Sequence, residues 1–308
     1  MESLKPQYYH IHLEPDLTTF EFIGKTEILI EVVNPTDTVI LNAYQITIIN
    51  CRIEYDQKIT DIPFSVDEKN KTLVINSPYK LTSSFTLLID YKGKLNNELA
   101  GFYRSRYTDQ DNNEKFIAVT QFEQSDAQRA FPCFDHPAQK AYFDIEFVID
   151  QNLSAIANTE IIEEKNIDSK KKIVKFAKTP YMSTYLLFFG IGDFEFIEDK
   201  NSTVNVRVVT VPGKKCFAQF GLEFGKMALQ FGEEYTGIKF PISKCDFIAV
   251  PDFAFGAMEN YGAITFRENR LLTYPGSTSS LDREAIGEVI AHEVAHMWFG
   301  NLVSPLEW

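Results

Sequence analysis

The sequence predicts a two-part chain, an all-β N-terminal domain followed by an α+β domain, on three observations. From Tyr8 to about Glu198 the pattern is overwhelmingly extended, in short runs rich in Val, Ile, Phe, Tyr and Thr. Beyond Asp199, helical periods appear between the strands. The 308 residues suffice for one large or two ordinary domains, and 44% hydrophobic with 24% charged residues can fill a packed core.

In the first part, Ile11 and Leu13 alternate with His10, His12 and Glu14, the rhythm of a half-buried strand. Segments 20–33, 38–49, 72–76, 85–91, 115–122, 142–149, 172–177 and 184–198 read the same way. Between them, 34–35, 67–70, 109–113 and 163–172 are polar connectors. No long helical period interrupts them, so antiparallel sheets in a sandwich- or saddle-like arrangement are expected. His10 and His12 share a strand face but lack a third ligand, and are expected as surface histidines. Residues 199–202 read as a short linker, giving domains 1–198 and 199–308.

In the second part, 204–211 is an expected strand and 216–235 a helix with Phe217, Phe220, Phe224, Met227, Leu229 and Phe231 at helical spacing. Strands follow at 247–250 and 263–266. The chain closes on a helix whose N-cap candidates are Ser279, Ser280 and Asp282. Its apolar positions are Ile286, Val289, Ile290, Val294 and Met297, and Gly300-Asn301 supplies a stop.

That helix carries His292-Glu293-x-x-His296. Residues four apart share a helix face, so the two imidazoles project side by side and can hold one divalent metal, typically zinc. Glu293 follows the first ligand and lies near the metal without binding it, where it can take a proton from a metal-activated water. The alternative is a pair of core histidines on an amphipathic helix.

A formal charge of −13 makes nucleic acid or an anionic membrane an improbable partner and a cationic group a welcome one. The first ten residues have no apolar signal core, and the run 185–191 is too short to span a bilayer. Cys51, Cys133, Cys216 and Cys245 are scattered, without a C-x-x-C pair. Four reduced thiols in a cytoplasmic protein are the expectation.

Two further stretches are informative: Gly256-Ala257-Met258-Glu259-Asn260, and Thr120-Gln121-Phe122-Glu123 leading into Ala127-Gln-Arg129-Ala-Phe-Pro-Cys-Phe-Asp135. With these the chain resembles the gluzincin metallo-aminopeptidases, the family of aminopeptidase N, puromycin-sensitive aminopeptidase and leukotriene hydrolase. The resemblance extends through Leu99–Ser105, Thr179–Leu186 and His296–Leu302, and so covers nearly the whole chain. It implies that residues 199–308 form the N-terminal part of a thermolysin-like zinc peptidase domain. It implies that Glu259 and Glu123 hold the free ammonium of a peptide substrate, with Gln121 adding a polar contact. Gly256 and Ala257 would lie on a strand that pairs with the substrate backbone, and Met258 would line the pocket for its first side chain. The expected partners are therefore peptides with a free N-terminus. The alternative for Glu123 is a structural ion pair, for example with Arg129.

The pattern is incomplete. The third zinc ligand that the resemblance implies, a glutamate, falls beyond Trp308, as does the tyrosine that steadies the oxyanion. Glu307, in a proline-containing tail, is a poor substitute. The expectation is an N-terminal fragment of a longer enzyme, binding zinc weakly and hydrolysing little by itself. Gln128 and His136 also differ from the family's usual arginine and glutamate. Two competing readings are a non-catalytic module that keeps the fold, and a thermolysin-like endopeptidase, which would not need paired ammonium-binding carboxylates.

Overall fold

Alternation along the strands builds the first layer. In Glu21–Val32, residues Phe22, Gly24, Thr26, Ile28 and Ile30 face inward while the intervening side chains face solvent. A computed structural model describes residues 3–199 and 204–308. Most of the expected linker, residues 200–202, therefore lies outside the described residues. Strands Leu4–Asp16, Glu21–Val32, Phe85–Lys94, Ile46–Tyr55 and Lys58–Asp61 continue one sheet antiparallel. On its other side Leu4–Asp16 pairs in parallel with Tyr142–Asp150, and Lys171–Phe176 and Ile161–Asn166 complete eight strands. A three-stranded sheet (Thr36–Asn42, Thr72–Leu81 and Phe64–Asp67) accompanies it.

A four-stranded sheet, in the order Ser154–Ala157, Phe189–Gly192, Glu114–Gln121 and Gly101–Thr108, covers part of this core. Phe189 is the hub: its ring lies 5.4 Å from Phe147, 5.6 Å from Phe122 and 6.2 Å from Phe102. Edge-to-face contacts of this kind add to the apolar area buried. The all-β expectation for the N-terminal part holds.

The second part is a mixed five-stranded sheet, in the order Glu195–Asp199, Asn205–Thr210, Lys244–Val250, Ala263–Arg267 and Ala257–Met258. Helices α1 (Gln219–Thr236) and α2 (Ser280–His296) belong to this part. Glu195–Asp199, read from sequence as the end of the β domain, pairs here with Asn205–Thr210. Its alternation is legible locally, but its partner is not. His12 departs from the expectation of a surface histidine: its Nδ1 lies 2.6 Å from Glu146 and its Nε2 3.0 Å from Glu14, with the side chain 16% exposed. The parallel register that sets His12 opposite Glu146 produces this clamp.

Behind the site, Asp135 is almost fully buried, accepting from Gln128 N–H and Thr184 Oγ at 3.1 Å each. Burial pushes its carboxyl up to about 7 from 3.8, against the lowering effect of those bonds. A carboxyl raised on folding binds more protons in the native than in the unfolded state between those values. The contribution of Asp135 to stability is thus full below about pH 4 and lost as pH rises to about 7. Urea unfolding from pH 4 to 8 should show this fall in wild type and a flatter profile in Asp135→Asn; parallel profiles would contradict it.

Candidate active site

Helix α2 begins as its sequence dictates. Ser279 Oγ accepts from Asp282 N–H at 3.1 Å, and Asp282 Oδ2 accepts from Ser279 N–H at 2.8 Å, a reciprocal capping box. Ile286, Ile290, Val294 and Met297 are buried, and α1 packs alongside. Close approach requires Gly232 on α1, where a Cβ would stand 2.4 Å from the Trp298 ring. Trp298 Nε1 donates to Ile238 O at 3.0 Å and fixes the end of α2. The helix ends at His296, one turn before the expected Gly300 stop.

With those residues inward, His292 and His296 emerge on the other side. Their Nε2 atoms lie 3.1 Å apart and their rings are nearly perpendicular, at 88°. Two nitrogens bound at tetrahedral angles to zinc at 2.0–2.1 Å would lie about 3.3 Å apart, so the pair fits that ion. His296 Nδ1 is 3.0 Å from Phe299 O, a bond that makes Nδ1 the donor and leaves the Nε2 lone pair free for a metal. Among the described residues no group of three or more His, Cys, Asp or Glu could hold a metal. Glu307 is directed elsewhere, 3.3 Å from His136 Nε2.

Glu293 turns inward and is 6% exposed, with Oε2 buried and without a hydrogen-bond partner. Burial first, then the charges of Glu259 and Glu123, push its carboxyl up to about 8. Glu259 is also buried, its Oε1 3.9 Å from His296 Nδ1. Glu123, at the end of strand Glu114–Gln121, is half-buried; burial and then Glu259 raise its carboxyl, partly offset by His296. Three elements thus bring three mutually repelling carboxylates beside two imidazoles. Among the described residues no Lys or Arg pairs with any of them. Arg129 instead binds Glu98 and Asp126, each at 2.6 Å, so the structural ion pair considered for Glu123 is not formed.

Gln121 is buried, with Nε2 3.4 Å from Met258 Sδ and Oε1 unpaired. Met258 is itself buried, tying Ala257–Met258 to strand Glu114–Gln121. Ala257–Met258 is the last strand of its sheet, paired with Ala263–Arg267 on one side. Gly256 lies just outside this strand rather than on it, although its carbonyl accepts from Arg267 N–H at 2.9 Å. A Cβ there would meet nothing within 4 Å, so the approach to this edge is open.

The sequence reading assigned no part here to Tyr185, Asn260, Tyr261 or Asn301. Burial, then the charges of Glu259 and Glu123, raise the Tyr185 phenol, which donates to Gly300 O at 3.2 Å. Asn260 Oδ1, Tyr261 OH and Asn301 Oδ1 are buried without partners, as are Gln121 Oε1 and Glu293 Oε2. Unpaired buried polar atoms are uncommon in native folds and mark sites that receive water, ions or ligands. Asn260 belongs to a stretch already singled out; Asn301 reads in sequence only as a helix stop.

Residues 5–186 match the peptidase M1 N-terminal domain and residues 220–308 the peptidase family M1 domain. The chain is 40% identical to a puromycin-sensitive aminopeptidase of Caenorhabditis elegans, over 99% of this chain and 33% of that protein. It is 39% identical to a mitochondrial aminopeptidase 2 of Saccharomyces cerevisiae, over 100% and 32%, and 37% identical to an aminopeptidase M1 of Arabidopsis thaliana, over 98% and 35%. The chain spans about a third of the length of these relatives. No helix of the described residues is long and apolar enough to cross a membrane.

Proposed function

Because the chain belongs to the peptidase M1 family, we propose that it carries the paired-histidine metal site and the amine-recognition residues of a zinc-dependent aminopeptidase. One observation carries the reading: Glu123, Glu259 and Glu293 crowd together without a Lys or Arg among them, beside two imidazoles with the spacing a zinc ion requires. Carboxylates crowded together without a cation are relieved by positive charge. A divalent ion and a substrate ammonium supply it. The relatives reported above are named as aminopeptidases, which supports the reading.

His292 and His296 would hold a zinc ion, which when bound would supply Lewis-acid activation of water and of the scissile carbonyl. Glu293 takes the proton from the attacking water and returns it to the leaving amine. Glu259 and Glu123 grip the ammonium through charge-assisted hydrogen bonds, and Gln121 Oε1 accepts one more. Ala257 and the neighbouring Gly256 receive the substrate backbone along the free edge, above a first-side-chain pocket floored by Met258. The grip of Glu259 and Glu123 on the ammonium, at a fixed distance from His292 and His296, sets which bond is cut, so residues leave one at a time from the free end. The four unpaired cysteines fit a reducing compartment and hence the cytoplasm.

The full-length protein should hydrolyse alanyl-methylcoumarylamide about a hundredfold faster than its N-acetyl twin, the worth of charged hydrogen bonds to the amine. An endopeptidase would accept the blocked amine. Comparable rates on the two substrates would overturn the aminopeptidase reading.

A further inference from the structure

The amine-binding carboxylates and the metal pair sit on different elements, so something must fix the distance between them. Asn301 is fully buried and follows α2 by one turn. Its Nδ2 donates to Glu259 O at 2.8 Å, and its own N–H donates to His296 O at 3.0 Å. One residue therefore joins the main chain of His296 to that of Glu259. The same turn is fastened to the N-terminal part, which also carries Glu123. Tyr185 OH donates to Gly300 O at 3.2 Å, and Lys140 Nζ donates to Asn301 O at 3.3 Å and Leu302 O at 3.2 Å. Tyr185 and Lys140 belong to the N-terminal part, Asn301 to the catalytic part, and Glu259 to the segment after the edge strand.

We propose that Asn301 is a positioning residue for amine recognition, holding Glu259 at a set distance from His296, with Tyr185 holding the Asn301 turn against the N-terminal part that bears Glu123. This rests on the aminopeptidase reading above. The physical ground is that a fully buried amide bridging two main chains tolerates little displacement, since moving either chain leaves a buried donor or acceptor unpaired. Glu259 lies just past a two-residue edge strand, outside the ladder that pairs Ala257 and Met258 with Ala263–Arg267. Loss of the bridge should loosen the grip on the ammonium while leaving the two imidazoles, which α2 itself orients, in place.

In the full-length protein, Asn301→Ala should raise KM for alanyl-methylcoumarylamide about tenfold, the cost of one buried hydrogen bond, with kcat changed less than about threefold. Zinc content, measured by plasma emission, should stay at the wild-type value. Tyr185→Phe, which keeps the ring and removes the bond to Gly300, should raise KM about threefold. It answers the question if the Asn301 variant does not fold. A fall in kcat at unchanged KM, or loss of zinc, would overturn the proposal in favour of a role in the metal centre; so would unchanged KM in both variants. Glu259→Gln separates the two levels. If it leaves KM unchanged, the aminopeptidase reading itself fails; if it raises KM while Asn301→Ala and Tyr185→Phe do not, only the positioning role fails.

Discussion

Glu293→Gln in the full-length protein is expected to lower turnover of an aminoacyl substrate by about 10²–10⁴-fold, the range that general acid–base groups supply. Glutamine keeps the size and shape of the side chain, so the packing around this buried position survives. It cannot take a proton from water, and the reaction loses its shuttle. The folded protein should lose little stability. The native carboxyl is buried, makes no hydrogen bond at Oε2 and has no cationic partner among the described residues, so a neutral amide of the same shape breaks no ion pair. Steady-state kinetics, zinc content and thermal unfolding on the same preparation check all three. Wild-type turnover in the variant sinks the general-base role, and loss of zinc together with turnover reassigns Glu293 to metal retention.

How much of this was legible in the sequence depends on how far apart the interacting residues lie. Helix α2 is legible because its signals are local: the Ser279–Asp282 cap, the buried stripe and the paired imidazoles fall within one stretch. The β layers were legible as strands from alternation, but their pairing was not. Glu195–Asp199 shows the same alternation whichever sheet it joins. His12 reads as a surface histidine until the parallel register brings in Glu146, 134 residues away. At the site, Glu259 and Glu123 were reached through resemblance, since each alone reads equally well as a solvated or ion-paired carboxylate. The edge strand Ala257–Met258 is two residues long and too short to show a period. Asn301 reads as a helix stop because the donor's partner, Glu259 O, lies 42 residues upstream and a main-chain acceptor leaves no trace in sequence.

The largest expected loss of stability lies in the joint that keeps these pieces together. Asp246 is fully buried on the central strand Lys244–Val250, accepting from Arg207 Nε and Nη2 at 2.6 Å each and from Lys244 Nζ at 2.7 Å. Lys244, 4% exposed, spends its other protons on Ala157 O at 2.5 Å and Gly262 O at 2.9 Å. The lysine thus spans from the four-stranded sheet to the turn before Ala263–Arg267. Burial depresses its proton affinity, and the Asp246 charge opposes that depression. Asp246→Ala should cost about 3–5 kcal/mol in urea unfolding at pH 7, because it leaves a buried ammonium without its counter-charge. Replacing the pair together, as Lys244→Met with Asp246→Leu, removes more hydrogen bonds yet should cost less than Asp246→Ala alone, since the buried ammonium goes with its counter-charge and only Arg207, whose side chain is 25% exposed, loses its carboxylate. Additive losses would show that the pair is not coupled. The comparison also bears on function: the strand next to Lys244–Val250 is paired with the edge strand leading to Glu259, while Ala157 anchors the layer that ends in Glu123. On the proposed aminopeptidase reading, a weakened joint should therefore widen the gap between the two carboxylates and erode a preference for a free amine before α2 itself is disturbed.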